Sequence, residues 1–191
     1  MVKDIKTILK TRLSEDRYIH SLGVEATAIE LAIKFGEDPK KASIAGLSHD
    51  IAKCIPLSEL LKIIEENNLP VPEMEKKSWK ALHSPVGAFI AQRDLEITDK
   101  DILNSIRWHT IGRIGMSTLE KIIYLADKIE PNREDTDFVN EVKKVLNDTN
   151  SLDAAILLTY GATIKSLVER KLFINLQTIE VWNHLLTSIN D

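Results

Sequence analysis

Residues 45–53 read Ala45-Gly46-Leu47-Ser48-His49-Asp50-Ile51-Ala52-Lys53, an apolar helical run broken only by Ser48 and one adjacent His-Asp pair and closed by Lys53. No other stretch restricts the fold as much. A charged group in a dry interior must be paired, must bind a metal, or must change its protonation state. Neutral imidazole and carboxylate are both good ligands for first-row metals, so one divalent cation satisfies the two side chains together. A hydrogen-bonded pair that ties two helices together is the competing reading. The pair alone does not decide between them, and the rest of the chain must supply further ligands.

The chain has 191 residues, 43% hydrophobic but only 5% aromatic. That is enough for one sizeable domain with an aliphatic core. With 7 Gly and 6 Pro it reads as helical rather than rich in turns. A net charge of −4 offers no broad cationic footprint for nucleic acid. The single cysteine, Cys54, rules out an intrachain disulfide and lacks a CxxC partner, so it reads as a small core residue. The first ten residues are too short and too charged for a signal peptide. No apolar run approaches the ~18–20 residues of a membrane span. The expectation is a soluble, cytoplasmic protein.

Helical periodicity dominates from end to end, and nothing alternates with period two, so the expected class is all-α. Ile5, Ile8, Leu9 and Leu13 mark a first helix. Ser14 opens a second, to about Phe35, in which His20 joins the stripe Val24, Ala28, Leu31 and Gly23 allows a close approach to the backbone. Asp38-Pro39 opens a third, expected to carry His49-Asp50 near its end and to stop at Pro56. A fourth is expected over 58–67. Residues 70–77 read as a polar loop. Ser84-Pro85 starts a further helix with His83 just before it, an end suited to phosphate. Thr98 and Asp101 are expected to cap the helix that ends near His109, broken by Gly112 and Gly115. Ser117 and Glu120 form a capping box before the stripe Leu119, Ile123, Asp127. Two last helices are expected over 151–171 and 179–189.

His20, His49, His83, His109 and Asp127 thus fall on inward faces or inward ends of separate helices, with Asp50 beside His49 on the third of them. Any one of them reads most simply as a satisfied histidine or aspartate. Six together are hard to place as independent accidents. His184 does not fit the set and is read as structural.

These residues, in this order, resemble the HD-domain metal-dependent phosphohydrolase superfamily. The segments Arg17-Tyr18-Ile19-His20-Ser21-Leu22-Gly23-Val24, Leu47-Ser48-His49-Asp50-Ile51-Ala52-Lys53, Arg107-Trp108-His109-Thr110 and 119–133, which holds Asp127-Lys128-Ile129-Glu130-Pro131-Asn132-Arg133, are similar to the YqeK family of symmetrical bis(5′-nucleosyl)-tetraphosphatases. The resemblance spans about residues 10–185. Ser84 departs from it, since members often carry glycine after the histidine. It implies one HD-type domain over 1–191, with a core at about 14–130 and helices of 131–191 packed on it.

The activity implied is hydrolysis of diadenosine tetraphosphate to two ADP. An HD-type nucleotidase, another signalling-nucleotide hydrolase and a non-catalytic nucleotide sensor are the alternatives. His20, His49, Asp50 and Asp127 are assigned to one metal, and His83 and His109 to a second metal or to phosphate, with Asp50, His83 and His109 as the catalytic set. One or two divalent ions per chain are expected. The resemblance implies iron, while the donor set also fits manganese, cobalt, nickel or zinc. Expected nucleotide contacts are His20, Lys53, His83, His109, Thr110, Asp127, Arg133 and the run Arg170-Lys171-Leu172-Phe173-Ile174-Asn175. Expected partners are a small nucleotide, with no nucleic acid and no membrane, and a homodimer stays open. No GxxxxGK[ST] loop or Rossmann fingerprint is present, which argues against a kinase or a dehydrogenase.

Overall fold

A computed structural model describes residues 4–190. Among the described residues all regular structure is helical. The helices are α1 (Ile5–Arg12), α2 (Glu15–Phe35), α3 (Pro39–Ser48), α4 (Leu57–Glu66), α5 (Glu73–Lys76), α6 (His83–Asp94), α7 (Lys100–Trp108), α8 (Thr118–Ile129), α9 (Thr136–Thr149), α10 (Leu152–Glu169) and α11 (Leu176–Asn190), with a 3₁₀ turn at Trp79–Ala81.

Helix α8 is the axis of the bundle. Leu119, Ile122, Ile123, Tyr124, Leu125, Ala126 and Ile129 are all buried, so most of its surface faces the core and only the side with Lys121 and Lys128 stays partly exposed. It packs against α2, α3, α7, α9 and α10. Burying each large side chain contributes about 1.5–3 kcal/mol, which fixes the helix in the interior and takes Asp127 in with it. The expected capping box is present: Ser117 Oγ accepts from Glu120 N while Glu120 accepts from Ser117 N. Helix α2 lies across α3 and α8, and α7 packs on α6, α3 and α8. These contacts bring the His-bearing ends of α3, α6 and α7 to the N-terminal part of α2, at His20, and to the last turn of α8, at Asp127.

Several local expectations need correction. Helix α3 ends at Ser48, so His49-Asp50 stands just beyond it in tight turns bonded Ile51 N to Ser48 O, Lys53 N to Asp50 O and Ile55 N to Ala52 O. The shorter i→i+3 closure of those turns rotates successive side chains away from helical register. Cys54 is exposed as a result and is not a core residue. Asp99, not Thr98, caps α7, accepting from Asp101 N and Ile102 N. Ser84 caps nothing; α6 begins at His83, and Ser84 Oγ pairs with Thr110 Oγ1 at 2.7 Å. The stretch expected as loop contains α5, anchored by Glu75, which is buried against Arg107 at 2.6 Å. Helix α9 was not anticipated, although Asp135 caps it and Val139, Val142 and Leu146 form its buried stripe.

Candidate active site

Four imidazoles meet at the centre of the bundle. His20 comes from α2, His49 from the end of α3, His83 from the start of α6 and His109 from the end of α7, and all four are buried. Each is oriented in the same way. His49 Nδ1 donates to Gly46 O at 2.7 Å, His83 Nδ1 to Lys80 O at 2.8 Å and His109 Nδ1 to Ile106 O at 2.7 Å. His20 Nδ1 donates to Glu130 Oε1 at 3.0 Å. A neutral ring that donates from Nδ1 has its lone pair on Nε2. All four Nε2 atoms point inward.

Those lone pairs face one another and two carboxylates. His20 Nε2 and His49 Nε2 are 3.2 Å apart, and His83 Nε2 and His109 Nε2 are 3.1 Å apart. Asp50 divides its oxygens between the two pairs. Its Oδ1 is 3.0 Å from His83 Nε2 and 3.5 Å from His109 Nε2, while Oδ2 is 3.6 Å from His49 Nε2 and 3.9 Å from His20 Nε2. Asp127 Oδ1 lies 3.0 Å from His20 Nε2 and 3.7 Å from His49 Nε2. Both Asp50 oxygens are buried and lack a hydrogen-bond partner among the described residues, since the imidazoles approach off the line a hydrogen bond needs. Lone pairs gathered on an unsatisfied buried carboxylate repel until positive charge sits among them. The donors form two overlapping sets, His20-His49-Asp50 and Asp50-His83-His109. Imidazole nitrogen and carboxylate oxygen are the chemistry of a divalent metal site, so residues and group fit.

The electrostatics agree. Burial alone would raise the Asp50 carboxyl, but His49, His109, His83 and Lys53 outweigh it and hold the group well below the carboxylate range. Asp127 is likewise held low against its burial, by Lys128, His20 and His49. Burial pushes His109 down to about 3, only partly offset by Asp50, and pushes His83 down as well. Both rings therefore stay neutral and keep their lone pairs. His49 moves the other way: its burial is outweighed by Asp50 and Asp127, which draw positive charge toward that point.

Glu130 fixes the orientation of His20. Its Oε2 accepts from Asn132 N at 2.7 Å and Asn132 Nδ2 at 3.0 Å, leaving Oε1 for the imidazole. Gly23 makes room for it, because a Cβ there would collide with Glu130 Oε2 and come within 2.9 Å of Asn132 Nδ2. Gly23→Ala is expected to lower metal affinity about 10–100-fold, as changes behind a metal ligand commonly do. The same change favours helix by up to ~1 kcal/mol, so intact helicity with weakened metal binding is the expected pair of results. Metal titration and circular dichroism on the variant check it; unchanged affinity would remove Glu130 from the site.

A cavity of about 430 Å³ adjoins His83 and Asp127. Lys53 stands in its wall, 3.5 Å from Asp50 Oδ1 and 3.2 Å from His83 Nε2, and Thr110 and Arg133 line it too. Arg133 is held to Asp127 through the backbone oxygen and through Oδ1 at 2.6 Å. Tyr124 and Tyr160 stack at its base, with ring centres 5.2 Å apart. Of the run expected to touch nucleotide, Leu172, Phe173 and Asn175 line the cavity, whereas Arg170, Lys171 and Ile174 do not. His184 is exposed on α11 and belongs to neither group of metal-ligating side chains.

Arg17, Lys128, Glu130 and Trp79 carry parts of the site that the sequence reading left without a role. Arg17 Nη1 is 3.6 Å from Asp50 Oδ2, and Lys128 Nζ is 2.6 Å from Asp127 Oδ2. Trp79 stands 54% exposed at the rim of the cavity. The first three lay inside the motifs that carried the resemblance. Trp79 had no signal, because exposure of an aromatic is invisible before folding.

A helical bundle with four imidazoles and two aspartates gathered on one buried centre defines an HD-domain hydrolase. The HD domain pattern matches residues 17–132. The symmetrical bis(5′-nucleosyl)-tetraphosphatase of Bacillus subtilis is 41% identical over 179 residues, 94% of each chain. That of Staphylococcus aureus is 33% identical, over 96% of this chain and 93% of its own. A crystal structure of a predicted HD superfamily hydrolase involved in NAD metabolism from Clostridium acetobutylicum superposes with a TM-score of 0.92 at 39% identity, covering 98% of both chains. The chain belongs to the HD-domain family and, within it, to the symmetrical bis(5′-nucleosyl)-tetraphosphatases, the YqeK family. No helix among the described residues is long and apolar enough to cross a membrane.

Proposed function

We propose that this chain hydrolyses dinucleoside polyphosphates at their midpoint, converting diadenosine tetraphosphate and water to two ADP. The observation that carries the reading is the shared carboxylate: Asp50 turns one oxygen to each of two imidazole pairs, beside a cavity lined by cations and apolar side chains. The activity named for the bacterial relatives supports the choice of substrate. His20, His49, Asp50 and Asp127 would hold one divalent ion. His83 and His109 would hold a second through Asp50, or contact phosphate directly. The family resemblance favours iron.

When bound, the metal supplies Lewis acidity and lowers the pKa of its water from about 15.7 toward ~7. Lys53, Arg17 and Arg133 offset the charge of the phosphates and favour its build-up in the transition state. Neutral His83 and His109 add no positive charge to trap the anionic products. Phe173, Trp79 and the Tyr124–Tyr160 stack give a nucleoside an apolar enclosure. In the balanced reaction, water oxygen bonds to the phosphorus of one inner phosphate and that phosphorus breaks from the bridging oxygen. The second ADP leaves with the bridging oxygen, and a proton is released.

Three measurements test this. Diadenosine tetraphosphate in labelled water should give ADP alone, with label in one of the two ADP molecules; equal amounts of AMP and ATP would show an asymmetric cut. A panel of mononucleotides and other signalling nucleotides separates the reading from a nucleotidase, and ADP binding without turnover would point to a sensor. Chelation or acidification should remove metal and turnover together, because imidazole and carboxylate ligands must be deprotonated to bind. Full activity in protein verified as metal-free rules the mechanism out.

A further inference from the structure

A second cavity, of about 820 Å³, lies between α2 and the segment leading into α9. It reaches the histidine cluster at His20, whereas the cavity containing Trp79 and Phe173 reaches it at His83 and Asp127. Arg17, Lys128 and Arg133 line both. The two hollows therefore share a cationic seam beside the metal ligands. All three cations are turned toward the cluster, Arg17 to Asp50 at 3.6 Å and Lys128 and Arg133 to Asp127 at 2.6 Å each. The remaining charges in this cavity are negative: Asp16, Glu134 and Asp135 are exposed in its wall. Apolar surface completes it. Ile19 is 44% exposed there, and Phe138 is half-buried beside it.

This distribution suits one kind of occupant. A polyphosphate tail would be drawn to the seam and repelled by the carboxylates. A neutral ribose and base would meet no such repulsion, and carboxylates are good acceptors for ribose hydroxyls. A cut at the midpoint of a dinucleoside tetraphosphate also leaves equal halves on either side of the reacting phosphorus. Each half needs a place to go, and the cavity at Phe173 lies on one side of the cluster, which it reaches at His83 and Asp127.

We propose that this second cavity is the subsite for the distal nucleoside of the substrate, with its base against Ile19 and Phe138 and its ribose toward Glu134 and Asp16. The inference rests on the dinucleoside reading above and deepens it. It makes the chain a reader of both ends of its substrate, with one nucleoside on each side of the seam formed by Arg17, Lys128 and Arg133.

The test uses metal-loaded full-length protein carrying Phe138→Ala or, separately, Ile19→Asp. Neither side chain touches a metal ligand in the contacts above, and Ile19 is exposed enough for Asp to be tolerated if Phe138→Ala fails to fold. Loss of a base–aromatic contact commonly weakens binding by roughly ten-fold or more. The expected result is a fall of about ten-fold in kcat/KM for diadenosine tetraphosphate, carried by KM, with the dissociation constant of the tighter ADP site within about two-fold of wild type. Unchanged kcat/KM in both variants overturns the proposal. So does ADP affinity that falls in step with kcat/KM, since that marks a general disturbance of the centre. Wild-type protein that fails to produce ADP from diadenosine tetraphosphate sinks the proposed function itself, a distinct result that takes this inference with it.

Discussion

Asp50→Ala is expected to lose turnover and bound metal together. Asp50 is the one residue common to both donor sets, and its oxygens face different imidazole pairs. Among the described residues, alanine removes the anion between His83 and His109, and one of the two carboxylates that face the Nε2 atoms of His20 and His49. What remains at the first position is two neutral rings and Asp127, one anionic donor fewer, so a divalent ion there is held more weakly and is lost in dilution or dialysis. The fold should survive, because an unsatisfied buried carboxylate is itself costly in the absence of a cation. Metal bound only to the folded state stabilises it by about 2.7 kcal/mol at a hundred-fold excess over Kd. For a chain of this size that is a rise of roughly 5–10 °C in Tm, and the variant should lose that rise without a matching drop in its metal-free Tm. Metal content, metal-dependent Tm and rate on one preparation give the answer. His49→Ala should behave in the same way. A full metal complement in Asp50→Ala contradicts the shared-carboxylate reading.

His83→Ala and His109→Ala should fail differently, losing turnover by ~10²–10⁴-fold, the usual cost of removing an acid, a base or a charge-stabilising contact, while keeping at least one metal per chain. The structure gives the reason. His20, His49, Asp50 and Asp127 converge without them, and Glu130 holds His20 in place through a separate hydrogen bond. His83 and His109 touch Asp50 through Oδ1 only, the oxygen that faces Lys53 and the cavity. Removing either ring leaves Oδ2 where it was. The loss should therefore fall on the side where substrate enters. If His83→Ala is metal-free while Asp50→Ala is fully loaded, the partition of the site is reversed.

The six central residues were legible before folding because each carried a contradiction in its own segment. A histidine or carboxylate in an apolar helical segment has to be resolved by something, and five such segments, one of them holding both His49 and Asp50, resolve most simply on one another. His20 and Asp127 are the clearest cases, since Val24 and Ala28 on α2 and Leu119 and Ile123 on α8 declare their faces locally. The ends of helices were less certain. Asp99 displaced Thr98 as a cap, and turns at 49–55 took over from α3, because competing closures there differ by only about one hydrogen bond.

Sequence alone thus determined which donors the bundle must bury and that they would be imidazole and carboxylate, because burial of polar groups in an aliphatic core leaves little choice. Tertiary structure alone decided how they are shared. No spacing in the chain states that Asp50 gives one oxygen to each imidazole pair, or that Glu130 reaches back 110 residues to His20. Nor does any spacing reveal that Trp79 and Phe138 stand open beside cavities while Glu75 is sealed against Arg107. Those facts follow from how helices far apart in sequence cross one another, and the crossing is set by the sum of many packing contacts rather than by any local pattern.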